Sequence, residues 1–161
     1  MGINDPQRVV GYYKDTASTP HDHGFFFDKK SYTTIDVPGA VDTRLLGLNN
    51  PGDMVGYYTD SNDQKHGFLY SKSGAITTID AQIPGVTVTD TICEAINSSG
   101  TIVGEYIDDQ GKCHGFVYLA GVFVPVDAPG TPGAVGTFIE GINDNGEVTA
   151  FSTIAFLGTA Q

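Results

Sequence analysis

One unit is written three times in this chain and begun a fourth time, and no other feature limits its possible folds as strongly. Asn4, Asn49, Asn97 and Asn143 open equivalent stretches, separated by steps of 45, 48 and 46 residues. A period in that range marks a repeat architecture, in which one supersecondary unit is stacked on copies of itself. From each Asn to Gly11, Gly56, Gly104 and Ala150 the distance is always seven residues. A constant length predicts a hairpin of constant register, because a slip of one residue would turn every side chain to the opposite face.

Four short strands are expected per unit. In the second copy these are Thr43 to Leu48, Met54 to Tyr58, His66 to Tyr70 and Ala75 to Asp80, with a polar turn at Asn49-Asn50-Pro51-Gly52-Asp53. Strand two is apolar on both faces, as Val9 and Val10, Met54 and Val55, and Ile102 and Val103 show, so it should be a central strand covered on both sides. The glycines Gly11, Gly56 and Gly104 on it are expected where a neighbouring sheet comes close. Pro/Gly-rich links follow each unit and vary in length, which places the unit boundaries there. One repeat domain, 1–161, then divides into units of about 3–42, 43–85, 86–133 and a partial 134–161.

The His and Asp positions give a sharper expectation. His23 to Asp36 spans 13 residues, His66 to Asp80 spans 14, and His114 to Asp127 spans 13. If the turns are Lys29-Lys30, Lys72-Ser73-Gly74 and Ala120-Gly121, the extra residue is absorbed in the middle turn and each His lies opposite its Asp. An imidazole can then hydrogen-bond the carboxylate across the pair. In the fourth copy Ile154-Ala155-Phe156-Leu157 aligns with the His-Gly-Phe segment, so Ile stands where the other copies have His, and no Asp strand follows it. A His–Asp pair met once would suggest a general base. Three pairs at equivalent positions predict scaffold instead, so all six residues are assigned a structural role.

Composition narrows the partners. Nineteen acidic against eight basic side chains give a net charge of −11, which disfavours nucleic acid and anionic membranes. No apolar run reaches the ~20 residues of a membrane span. Cys93 and Cys113 fall on a first strand and beside a third, with a strand between them, so no disulfide is expected; neither has a nearby cysteine to complete a zinc site. No phosphate-cradling loop, nucleophile elbow or clustered metal-ligand motif is present, and hence no cofactor, metal or catalytic residue is assigned. The loops at Asp60 to Asp63 and Asp108-Asp109 lack the Gly and distal Glu of a complete calcium loop and are taken as solvated tips.

Four antiparallel strands in about 46 residues describe a blade, and the expected class is an all-β propeller of about three and a half blades per chain. A β-trefoil also has three repeats of this length and stands as the alternative fold, but it leaves no place for the fourth start at Phe138 to Phe156. The motifs Gly-Ile-Asn, Val-Gly-x-Tyr, His-Gly-Phe at 23–25, 66–68 and 114–116, and Thr-Ile-Asp-x-Pro-Gly resemble the bacterial HAF-type extracellular repeat family across essentially the whole chain. Glu105 and Thr149 within strand two depart from that pattern. The resemblance implies a secreted or envelope-associated propeller-type protein and no established catalytic residues.

Three and a half blades are fewer than a closed ring usually needs, so self-association as a homodimer is expected to complete it. Two functions fit. One is a non-catalytic scaffold or binding module for a glycan or protein; the other is a hydrolase or lyase acting on extracellular polysaccharide, and a trefoil would read as a lectin-like glycan binder. Function should lie where the copies differ. The position shared by Tyr12, Tyr57, Glu105 and Phe151 is the leading place, with Arg44 and Glu94 near equivalent positions on the first strands and Glu140 in the fourth copy.

Overall fold

The computed structural model describes residues 1–129 and 134–154. Every regular element in them is a strand. The first unit contains β1 (Gly2–Ile3), β2 (Arg8–Lys14), β3 (Asp22–Asp28) and β4 (Ser31–Ile35). The second contains β5 (Asp42–Leu48), β6 (Met54–Thr59), β7 (Lys65–Tyr70) and β8 (Ile76–Ile79). The third contains β9 (Val88–Ile96), β10 (Ile102–Asp108), β11 (Cys113–Leu119) and β12 (Val122–Val126), and the fourth is the hairpin β13 (Ala134–Ile142) and β14 (Val148–Ile154). The first three units are antiparallel meanders paired in chain order, and the hairpin joins the third sheet through one parallel contact between Cys113 and Gly136. None of these sheet orders closes on itself. Among the described residues no helix is long and apolar enough to cross a membrane.

Each meander is too thin to bury its own apolar residues, so the core lies between units. The first interface gathers Val10, Ile35 and Val37 of the first unit with Leu45, Leu48, Met54 and Phe68 of the second. The second interface repeats it with Val55, Ile79 and Ala81 against Cys93, Ile96, Ile102 and Phe116. The two lists match position by position. Successive side chains of strand two therefore serve different neighbours: Met54 faces back to the first unit and Val55 forward to the third, which is why that strand is apolar on both faces.

The hairpin turns are those expected. Asp28 pairs with Ser31 and Leu119 with Val122, leaving Lys29-Lys30 and Ala120-Gly121 between them, while Tyr70 pairs with Ile76 around the longer middle turn. The turn after each Asn needs a positive φ at its fourth residue, met by Gly52 (103°), Gly100 (84°) and Gly146 (83°), and by Gln7 (63°) in the first copy.

Two expectations are corrected. Gly56 and Gly104 do not mark an approaching sheet. A Cβ at Gly56 would lie 1.9 Å from the carbonyl oxygen of Arg44, and one at Gly104 would lie 2.0 Å from that of Ile92, both on the adjacent strand of the same sheet. Both contacts lie beside a bulge, which recurs on β5, β9 and β13, where Leu46, Glu94 and Glu140 are passed over in the pairing. A neighbouring sheet comes close at Gly47, where a Cβ would lie 2.9 Å from the Ala95 Cα and from the Glu94 carbonyl oxygen, and at Gly67, where one would lie 2.8 Å from Cys93 Sγ as well as 2.5 Å from the Ile79 carbonyl of its own sheet. The second correction concerns Ile154. It ends β14, in the place that Asp108 takes at the end of β10, so it is not the counterpart of the histidines. Ala155, Phe156 and Leu157 lie outside the described residues.

Candidate functional site

Three equivalent nodes contain the predicted pairs. His23 Nδ1 is 2.8 Å from Asp36 Oδ2, His66 Nδ1 is 3.0 Å from Asp80 Oδ2, and His114 Nδ1 is 2.9 Å from Asp127 Oδ2. Each Asp follows the last residue of its outer strand and stays in register with the His. A second carboxylate, absent from the sequence reading, faces the other ring nitrogen: Asp15 at 3.4 Å from His23 Nε2, Asp108 at 3.3 Å from His114 Nε2, and Asp60 at 3.7 Å from His66 Nε2. Tyr13, Tyr58 and Tyr106 lie against the three imidazoles with ring centroids 5.4, 5.0 and 4.9 Å away. A tyrosine face and two carboxylates suit an imidazolium. The hydrogen bond to Asp36, with help from Asp15, raises the His23 pKa above its ordinary value in spite of partial desolvation. Both ring nitrogens of His23 and His114 are therefore hydrogen-bonded to carboxylates, and His66 is bonded through Nδ1 with Nε2 turned towards Asp60.

The second carboxylates also organise the variable loops. Asp60 Oδ1 accepts from the backbone N–H of Asn62 and Gln64, and Asp108 Oδ1 from Gln110 and Lys112. These backbone bonds hold both carboxyls below the usual range. Among the described residues no group of three or more His, Cys, Asp or Glu is arranged to hold a metal ion.

Two further sets of polar contacts join unit to unit, and both went unread in the sequence. Asn4 Nδ2 donates to the Asn49 carbonyl at 3.0 Å, Asn49 Nδ2 to the Asn97 carbonyl at 3.1 Å, and Asn97 Nδ2 to the Asn143 carbonyl at 3.2 Å. Each Asn Oδ1 meanwhile caps its own turn, accepting from Arg8, Asp53, Thr101 or Glu147 N–H. On the opposite side of each interface a buried Thr of the next unit accepts from the residue after the node Asp: Val37 N–H to Thr43, Ala81 to Thr91, and Ala128 to Thr137. The signal for the Asn ladder was the constant recurrence of Asn itself; composition and strand pattern cannot distinguish a turn former from a rung.

The positions where copies differ do come together. Asp22 is almost completely buried and bonded by Arg44 Nε at 2.6 Å, with Lys14 Nζ 3.0 Å away. Burial alone would raise its pKa, but Lys14 and Arg44 outweigh burial and hold it below the usual value. The Arg44 guanidinium lies over the Tyr12 ring at 4.4 Å and near that of Tyr57 at 5.5 Å. Glu105, which stands where Tyr12 and Tyr57 do, is pushed up to about 7 by burial and by the charges of Glu94 and Glu140. Burial likewise raises the Tyr57 hydroxyl, and the Glu94 charge acts on it, so the two groups share one region. Phe151 stacks on Phe138 at 5.1 Å. Arg44 and Glu94, however, are not equivalent: Arg44 pairs with Tyr57 and corresponds to Ile92, whereas Glu94 is the extra residue of the bulge and corresponds to Leu46 and Glu140.

No protein-family model matches this chain, and no curated protein matches it. The site is therefore read from its own geometry. Cys93 on β9 and Cys113 on β11 are buried free thiols with β10 between them; burial pushes Cys113 up to about 12 and Cys93 higher, which leaves neither a nucleophile at neutral pH.

Proposed function

We propose that this chain is a non-catalytic β-propeller-type repeat scaffold, an extracellular or cell-envelope module that binds a glycan or protein ligand and associates with itself. The observation that carries this reading is the threefold Asp–His–Asp node. A group that recurs at every interface with one imidazole nitrogen bonded to a carboxylate and the other turned towards a second serves the scaffold, whereas catalysis needs a single site with a free base. The open four-stranded meanders favour the propeller over the trefoil, whose six-stranded barrel requires a closed sheet order. The secreted or envelope location follows from the likeness to HAF-type repeats. Ligand recognition falls to the inner region around Tyr12, Arg44 and Tyr57, where an exposed aromatic edge and a guanidinium offer stacking and hydrogen bonding to a sugar or peptide.

One observation favours a second reading. Glu105, with its raised pKa beside Glu94 and Glu140, has the electrostatics of a general acid, which suits a polysaccharide hydrolase or lyase. A glycan array run beside a polysaccharide-degradation screen separates the two. Retained binding without turnover is the expected result; turnover abolished by Glu105→Gln would establish the enzyme instead.

A further inference from the structure

We infer that the cleft between the β6–β7 turn and the link from Asp80 to Asp90 is a second binding site, which takes a lysine or arginine side chain of an extended peptide. It lies between the second and third units, inside the array, and none of Tyr12, Arg44 and Tyr57 lines it.

Comparison of two links shows how the cleft arises. Both carry the same turn: Ala40 N–H donates to the Val37 carbonyl and Val86 N–H to the Ile83 carbonyl, each at 3.1 Å, around Pro38-Gly39 and Pro84-Gly85, with φ of 84° and 79° at the glycines. Both also end alike, since Asp42 Oδ1 accepts from Asp22 N–H and Asp90 Oδ1 from Lys65 N–H. The arms differ. From the node Asp to the proline is two residues in the first link and four in the second, and from the glycine to the closing Asp is three and five. Two added residues on each arm carry the second turn further out, and Ala81 stands where the first link has the bulkier Val37. The space so opened is a cleft of about 490 Å³, within the ~300–1,000 Å³ of ligand sites.

Its walls fit an aliphatic stem that ends in a positive charge. Ile83, Val86 and Val88 form the apolar side, and Ile83 and Val88 continue into the core of the second interface. Asp80 is the polar end: its Oδ2 lies 3.0 Å from His66 Nδ1, its Oδ1 is buried with no hydrogen-bond partner, and the side chain as a whole is still 38 % exposed. A carboxylate with an unserved oxygen is costly, and a cation seated against it offsets that cost. Asp63 and Asp90 flank an extension of the cleft beside Gln64 and Val88. The single cation on the walls, Lys65, holds its ammonium 5.7 Å from the centre of the Tyr57 ring. An anion is therefore disfavoured, and so is a stacked sugar, because no lining residue is aromatic. Gln64 and Gln82 add amides able to donate to and accept from a peptide backbone.

A nuclear magnetic resonance titration of the full chain with acetyl-Ala-Arg-Ala-amide and acetyl-Ala-Lys-Ala-amide tests this. Either peptide should shift the backbone amides of Gln82, Ile83 and Val88 saturably. The citrulline counterpart of the arginine peptide, alike in shape but neutral, should bind at least ~tenfold more weakly. Asp80→Asn should cause the same loss, whereas Asp36→Asn and Asp127→Asn alter the equivalent pairs at the other nodes and should leave binding unchanged. Should Asp80→Asn fail to fold, Val86→Lys, at a 37 % exposed position, places a competing charge in the cleft and should abolish binding. No shift at these amides with either peptide, equal binding of the citrulline peptide, or undiminished binding by folded Asp80→Asn or Val86→Lys protein would overturn the site. Ligand binding at the inner region is read separately and would stand.

Discussion

Phe25 and Phe68 occupy the same place in consecutive units, follow the same His-Gly pair and lie on strands of the same register, yet Phe68 is fully buried and Phe25 is not. What Phe68 has is the first meander packed on it, through Val10, Ile35 and Val37. Asn97 and Asn143 differ in a similar way: Asn97 is buried between rungs on both sides, and Asn143 lies in an exposed turn with, among the described residues, a rung on one side. In this architecture a residue's energy is a property of the interface between units more than of the unit it belongs to.

The comparison can be broken experimentally. The largest effect is expected for Phe68→Ala, which leaves a cavity in a closed interface and should cost about 4 kcal/mol in denaturant unfolding, against about 1 kcal/mol for Phe25→Ala. Equal losses would mean that the units, and not their interfaces, hold the stability. Next, Asn97→Ala removes a buried amide with partners in its own turn and the next one and should cost about 2 kcal/mol, whereas Asn143→Ala in its exposed turn should cost about 0.5 kcal/mol. A smaller change of about 1 kcal/mol is expected for His66→Ala, whose partners are polar groups at the edge of an interface; an unchanged melting temperature would remove the node from the scaffold.

Titration sharpens the contrast between nodes and inner region. His23 has a raised pKa in the folded state, so its contribution is complete below the ordinary histidine value near ~6.5 and is lost as pH rises through the folded value. His23→Gln should flatten that part of the stability profile. Glu105 also titrates high, at about 7, but as a carboxyl that folding prefers protonated, so stability falls as pH climbs from its ordinary value towards 7. Glu105→Gln should therefore raise the melting temperature above pH 7 and leave it nearly unchanged at pH 5. If the two variants show the same profile, the assignment of either group fails.

Much of this was legible without coordinates, for a physical reason. A strand has a two-residue period and a hairpin a fixed loop, so constant distances from Asn4, Asn49 and Asn97 report register directly, and the 13- and 14-residue His–Asp spacings report a turn that grew by one. The strand bounds differ from expectation by one or two residues, as for β8, which is Ile76–Ile79. The bulge escaped notice because the extra residue is itself ordinary, Leu46 in one copy and Glu in two others. Missing it displaced both the role of Gly56 and the equivalence of Arg44 with Glu94. The placement of Ile154 failed through the assumption that the fourth copy turns early; it continues its second strand instead.

By itself the sequence determined the unit, its strand order, the His–Asp register and the all-β class, because these depend on contacts within one period and recur three times. Only the tertiary structure decided which side of each strand faces which neighbour, that Asn4, Asn49, Asn97 and Asn143 are rungs between units, and that Arg44, Tyr57, Glu94 and Glu105 share one region. Those contacts join residues on separate strands and, for the rungs, residues 45 to 48 positions apart across an interface. Local periodicity has no information about how one unit is rotated onto the next, and packing of the apolar faces sets that rotation.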